Sequence, residues 1–313
     1  MKNRQCYSGI GGQAVLEGVM MKNREHYAVA VRRQDGTIAV EKGEYRGILG
    51  DSGIMKIPFI RGVFAFLDSM ILGMRTLNIS ASYYEEEESG EEKEKAADAA
   101  EEKKDSGIAT ALTMVLAFAL AIGLFMLLPY YISQFFRRFI TSPAAIAVIE
   151  GVTRLVIFFA YMIGISAMKD IRRLYQYHGA EHKCISCVEC GKPLTVENAR
   201  SCTRFHKRCG TSFILLVVLI SIVFFFFIRT ENPLMRVAYR ILLLPVISGI
   251  SYEFIRLAGR SNNPLVELIS KPGLMTQRIT TREPDDEMLE VAIASVNAVF
   301  DWKAYQEETF GGA

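Results

Sequence analysis

The densest chemistry in this 313-residue chain lies between His178 and Cys209, and it begins with His178-Gly179-Ala180-Glu181-His182. That stretch holds three of the four histidines and five of the six cysteines: His178, His182, His206, Cys184, Cys187, Cys190, Cys202 and Cys209. On a helix, His178 and His182 stand one turn apart and point the same way, so both imidazoles can reach one ion. Glu181 sits beside them, placed to take a proton from a metal-bound water. The order His-x-x-Glu-His is the inverzincin arrangement, the reverse of His-Glu-x-x-His. A plainer reading has the two histidines and Glu181 only capping a helix end. The thiols and the further His206 shift the balance to metal binding.

Two donor sets compete. Cys187-Val188-Glu189-Cys190-Gly191 has the look of a zinc knuckle, with His206-Lys207-Arg208-Cys209-Gly210 as its partner. Together they would make a closed Cys3His site, which folds a segment but does no chemistry. The open alternative uses His178 and His182 plus His206, Cys209 or Glu189, and leaves one position for water. Spacing does not assign that third ligand. In either case the expected cofactor is a divalent metal, with zinc favoured. In the open site a bound zinc lowers the pKa of its water to about 7. Glu181 then serves as general base, and Lys183 or Arg208 stabilises a developing oxyanion. The substrate expected is an amide or ester in a membrane-protein segment or a lipid.

The elements around these residues are strongly apolar. Half of the chain is hydrophobic, and residues 108–136 and 211–228 contain no charge at all. Residues 144–168 and 237–256 are also long enough for a bilayer, which needs about 20 mostly apolar residues. The chain therefore reads as an α-helical integral membrane protein with four transmembrane helices and a small α+β cytoplasmic domain. Lys169, Arg172, Arg173, Lys183, Lys192, Arg200, Arg204, Lys207 and Arg208 crowd the connection between the second and third spans. The opposite connections carry little beyond Arg137, Arg138, Arg229 and Arg236. By the positive-inside bias, residues 169–210 and both termini are cytoplasmic in a multi-pass protein. No signal peptide is visible. The cysteines then face a reducing compartment, where clusters bind metal or do redox work more often than they form disulfides. A net charge of +2 gives no reason to expect nucleic acid as a partner, and the lipid bilayer is the partner expected. Nothing in the sequence sets an oligomeric state.

Residues 1–56 read as a β-rich unit. Tyr27 to Arg33 and Thr37 to Tyr45 are strand-like, and Gln34-Asp35-Gly36 between them is a hairpin signal. Gly9, Gly11 and Gly12 lack the order of a nucleotide loop and suit a tight turn or close backbone packing. Residues 57–83 are apolar but carry Arg61, Asp68 and Arg75 at intervals of seven, a single polar stripe. That stripe suits an interfacial or protein-packed helix, and the expectation is an interfacial amphipathic helix along the inner membrane surface. Residues 84–107, with eleven acidic residues and four lysines, read as a solvated linker. Glu150 and Arg154 can pair on one helical face within the second span. Residues 257–313 form a cytoplasmic tail, with an amphipathic helix at Asp285 to Phe300 that could cover the site or pack on the β unit.

Several segments in a fixed order resemble a known family. They are Gly11-Gly12-Gln13-Ala14-Val15-Leu16-Glu17-Gly18-Val19-Met20-Met21, His178-Gly179-Ala180-Glu181-His182-Lys183 and His206-Lys207-Arg208-Cys209-Gly210-Thr211-Ser212-Phe213. Lys271-Pro272-Gly273-Leu274 and Thr280-Thr281-Arg282-Glu283-Pro284 follow. The chain resembles the YqhQ-like bacterial membrane proteins, which are described as predicted metal-dependent enzymes. The resemblance implies a bacterial cell-membrane location and points to Glu17, His178, Glu181, His182, Glu189, His206 and Cys209. Glu17 thereby joins Glu181 and Lys183 as a catalytic candidate. The candidate ligands are His178, His182, His206, Cys209, Cys187 and Glu189. This chain departs from the family pattern at Val188 to Cys190, where Tyr-Glu and a non-Cys residue are expected, and this favours the open site. The function expected is that of a membrane-bound metal-dependent enzyme, possible chemistry being hydrolysis. A membrane scaffold or assembly factor with a structural metal is the alternative, and a transporter the third.

Overall fold

The computed structural model describes residues 6–50, 52–88, 112–113, 115–228, 230, 232–261 and 263–311. It is mostly helical, with one small antiparallel sheet. The chain divides into two compact units. Unit 1 comprises Met1–Glu87, Ile165–Val217 and Pro245–Ala313, and unit 2 comprises Glu88–Gly164 and Val218–Leu244.

Unit 1 opens with β1 (Gly11–Val15), β2 (Gly18–Asn23), β3 (His26–Arg32) and β4 (Ile38–Glu44), paired in sequence order as an antiparallel meander. The β3–β4 hairpin forms where the sequence predicts it. Gly36 takes φ +84°, and the Asp35 carboxylate accepts from the Thr37 N–H at 2.8 Å. All of Tyr27 to Val31 is buried, which requires cover on both faces of the sheet. Val19, Met21 and Ala30 face α4 (Lys169–Glu189) and α9 (Asp286–Val299), meeting Ala180, Cys184, Leu289 and Ala292. Met20, Tyr27, Val29 and Val31 turn the other way, onto Leu72 of α1 (Ile60–Glu88). Alternate side chains thus serve two cores, as the two-residue period of a strand dictates.

The polar stripe on α1 packs on protein. Arg61 Nε donates to Glu253 at 2.6 Å, Asp68 accepts from Tyr45 Oη at 2.9 Å and the Ile48 N–H at 2.7 Å, and Arg75 lies over the Tyr27 ring. Helix α1 runs on to Glu88, into the stretch read as linker; residues 89–107 lie outside the described ones. The segment 169–210 is mainly helix: α4, then the short α5 (Val196–Ser201) capped by Thr195. Helix α9 packs on the sheet and on α4, the second of the two roles expected of it, and is capped by Asp285. Asn263 and Pro264 start α8 (Pro264–Thr280), and α10 (Trp302–Phe310) closes the chain.

Unit 2 is built from α2 (Val115–Phe136), most of α3 (Pro143–Ser166), the end of α6 (Gly210–Phe226) and the start of α7 (Pro233–Arg260). A π-helical turn at Gly123–Leu127 interrupts α2 just before Pro129. Gly151 lets α3 approach closely: a Cβ there would stand 2.6 Å from Ile222 Cγ2.

Among the described residues, four helical stretches are long and apolar enough to cross a membrane: Ile60–Tyr83, Val115–Phe136, Pro143–Ser166 and Leu234–Arg260. This set differs from the sequence expectation in one member. The 60–83 helix has the length, whereas α6, which covers most of 211–228, has 17 residues, about 25 Å at 1.5 Å per residue. Apolar side chains such as Val115, Val152, Val156 and Leu242 are exposed on these helices.

Candidate metal centre

The site grows out of α4. Its helical spacing brings His178 and His182 together, ring centroids 4.4 Å apart. Each imidazole is oriented by a backbone carbonyl. His178 Nδ1 donates to the Thr280 carbonyl at 2.9 Å, and His182 Nδ1 donates to the Arg204 carbonyl at 2.6 Å. A carbonyl only accepts, so both rings carry a proton on Nδ1, and Nε2 is the nitrogen left to face an ion. Cys209, just ahead of α6, supplies the third atom, with Sγ 3.3 Å from His178 Nε2. The donor atoms of His178, His182 and Cys209 lie within 4.8 Å of one another, the one such group of three among the described residues.

The electrostatics suit an ion. Burial alone would raise the Cys209 thiol, but the His178 and His182 imidazoles pull it well below its ordinary value. Burial would lower His178, yet the Cys209 sulfur beside it raises it to about 9. The pair is therefore a thiolate against an imidazolium when no ion is bound, and a cation would take the imidazolium proton's place. Thr211 Oγ1 stands 3.1 Å from the Cys209 sulfur and accepts from Thr280 Oγ1 at 3.0 Å, orienting its own hydroxyl toward the thiolate.

Glu181 is buried on the same helix, and burial pushes its carboxyl up against the opposing pull of His182 and His178. The Gly12 N–H donates to it. Gly12 is the close approach that its sequence context suggests: a Cβ there would stand 2.6 Å from the Met20 carbonyl and 3.0 Å from Glu181 Cγ. His178, Glu181 and Cys209 line one cavity of about 560 Å³, together with Tyr175, Arg208, Tyr252 and the apolar Phe66, Phe213 and Ile255.

The other candidates lie elsewhere. Glu189 is buried among the Ser8 N–H and hydroxyl, Arg208 and His206, whose Nε2 is 3.3 Å away. The His206 hydrogen bond and the Arg208 charge outweigh burial and hold the Glu189 carboxyl down at about 2. His206 Nδ1 also accepts from the Arg208 N–H at 3.4 Å, so both its nitrogens are engaged. Cys187 faces the Pro193 carbonyl and Cys202. Lys183 donates to the Arg200 and Cys202 carbonyls at 2.8 and 3.0 Å and pairs with Glu283. Glu17, at φ 47°, pairs with Arg173 and accepts from Tyr177 Oη, tying the β1–β2 turn to α4. The Thr280 and Arg204 carbonyls leave no mark in the sequence, because backbone acceptors carry no residue signature.

A second feature of the frame is Gln277. Its side chain brackets the loop before α6, accepting from the His206 N–H and donating to the His206 carbonyl and Ser212 Oγ, all within 2.8 Å. This clamp sets where Cys209 emerges.

The family pattern described as "Protein of unknown function (DUF1385)" matches residues 57–302. The "Uncharacterized protein YqhQ" of Bacillus subtilis (strain 168) is 37% identical over 313 residues, spanning 98% of this chain and 97% of that protein. No solved structure matches. Neither description states an activity, so the metal-dependent enzyme implied by the resemblance rests on the residues themselves. Matched along nearly its whole length, the chain belongs to the DUF1385 family, alongside YqhQ.

Proposed function

We propose that this chain is a membrane-bound metalloprotein in which His178, His182 and Cys209 hold a divalent ion, zinc by donor type, and that the site is hydrolytic. The observation that carries the reading is the orientation of the donors. Two Nε2 lone pairs, each fixed by a carbonyl behind it, and one thiolate converge beside a cavity that Glu181 also lines. Three protein donors with an open side is the pattern of a catalytic zinc, whereas structural sites close with four.

When bound, the ion supplies Lewis acidity to a water and a carbonyl. The chain supplies the rest. Glu181, made a stronger base by its burial, receives the proton of the attacking water and passes it to the leaving group. Arg208, in the cavity wall, faces the developing oxyanion. Phe66, Phe213, Ile214 and Ile255 give the cavity an apolar side, suited to an ester or amide in a lipid or a membrane-protein segment. The exposed apolar helices support the membrane placement, and the Lys and Arg excess of residues 169–210 supports cytoplasmic termini.

The test pairs two neighbours. Purified His182→Ala is expected to lose its metal, read by elemental analysis, because too few donors remain. Glu181→Gln is expected to keep metal and fold and to fail to restore a deletion strain. Normal function in a metal-loaded Glu181→Gln protein would overturn the hydrolytic reading and make the ion structural, in a scaffold or assembly factor. Wild type purified without metal would overturn both.

A further inference from the structure

Unit 2 contains a buried charge cluster that the metal centre does not use. Glu150 of α3 bridges two arginines through one oxygen: Arg154 Nη2 is 2.8 Å from Oε1 and Arg240 Nη2 is 2.6 Å from it. Arg236 lies one turn before Arg240 on α7 and is itself 8% exposed, with Nη2 donating to the Thr230 carbonyl. Guanidinium groups stay protonated in proteins. Among the described residues of the cluster, three buried positive charges thus face one carboxylate.

Aromatic faces offset part of that imbalance. Arg154 and Arg240 lie 4.9 and 4.8 Å from the Phe225 ring, and Arg236 lies 4.8 Å from Tyr130. A ring quadrupole does not replace a counter-ion for a guanidinium in an apolar helix bundle. Nor are the donors satisfied among the described residues, where Nε of Arg236 and Nε of Arg240 are buried without a hydrogen-bond partner. A cavity of about 440 Å³ opens at these residues, lined by Glu150, Arg236 and Arg240, by Arg137, and by apolar groups including Ile146 and Phe226.

We propose that this cavity is an anion site for a phosphate group, carried by an anionic phospholipid or by free phosphate. Excess positive charge and unfilled N–H donors call for an anion. Planar guanidinium forks match phosphate oxygens in pairs, with more geometric selectivity than a lysine gives. The apolar part of the lining suits the glycerol and first methylenes of a lipid. Glu150 has a role in this site: it aligns Arg154 and Arg240 and keeps the empty cluster from carrying its full repulsion.

The experiment uses the full chain in nanodiscs of neutral phosphatidylcholine. Binding of labelled phosphatidylglycerol is measured by titration, and inorganic phosphate is tested separately by thermal shift and as a competitor. Arg236→Gln removes one guanidinium and leaves the Arg154–Glu150–Arg240 bridge, while Arg138→Gln removes an exposed charge outside the cavity. Saturable phosphatidylglycerol binding that weakens about tenfold or more in Arg236→Gln, but not in Arg138→Gln, supports a lipid head group. Saturable stabilisation by inorganic phosphate with the same dependence on Arg236, and no lipid preference, supports the free anion. Equal losses in the two variants would reduce the effect to surface attraction and overturn the site. So would wild type that prefers neither probe, a result that does not depend on any variant folding.

Discussion

Gly179, between the two histidines of the site, is expected to be irreplaceable even by alanine. In a helix interior Gly→Ala normally stabilises by about 0.5–1 kcal/mol. Here an added Cβ would lie 2.0 Å from the Arg282 carbonyl oxygen, where ordinary contact begins at 3.4 Å, so the 281–284 backbone must retreat by about 1.4 Å (3.4 minus 2.0). Overpacking of this kind costs roughly 1–3 kcal/mol. The retreat also strains the hydrogen bond from the Arg282 N–H to the Tyr175 carbonyl, adding about 1 kcal/mol. Less the helix-propensity gain, a net loss of about 1–3.5 kcal/mol corresponds to a fall in Tm of roughly 2–14 °C for a unit of this size. The moving segment includes Thr281, whose carbonyl accepts from Arg204, and is joined directly to Thr280, whose carbonyl orients His178. Loss of that outer support is expected to weaken metal binding roughly 10–100-fold. Thermal unfolding in detergent and chelator competition for zinc read the two effects separately. A Gly179→Ala protein that melts at or above the wild-type temperature, with unchanged zinc affinity, would refute the packing argument and the orientation argument together.

Two further outcomes follow from the polar network. Glu189 has its carboxyl lowered from 4.5 to about 2, so its stabilisation is fully present above pH 4.5 and is lost as pH falls through about 2. Glu189→Gln is expected to cost about 3 kcal/mol at neutral pH and to flatten the acid limb of a Tm–pH profile between those values, and an unchanged limb would count against the His206–Glu189–Arg208 cluster. The Cys202 thiol, hydrogen-bonded to Cys187, is pulled down to about 6 and is half-buried; in permeabilised cells it is expected to alkylate first among the six cysteines. An impermeant maleimide should leave it unlabelled in intact cells, and labelling from outside would reverse the membrane orientation.

What lies within one element was legible in the sequence, because helical and strand periodicities are local geometry. His178, Glu181 and His182 share a helix turn by spacing alone, Asp35-Gly36 dictates the hairpin, and Glu150 reaches Arg154 across four residues. The polar stripe of Arg61, Asp68 and Arg75 likewise marked one helix face, but that protein covers it was decided by packing. What joins separate elements was decided by packing. Cys209, and not His206 or Glu189, comes within 4.8 Å of His178 and His182 because the Gln277 clamp and the Thr280 carbonyl set where α6 begins and how His178 turns. His206 and Glu189, equally good donors on paper, satisfy each other and Arg208 in the interior. Glu17 is taken by Arg173 and Tyr177. Arg240, far from Glu150 in sequence, shares its carboxylate only once α7 folds against α3. The physical reason is common to all four. A buried polar group must find a partner, several partners of the right chemistry exist in the chain, and only the tertiary arrangement brings one of them within hydrogen-bond distance.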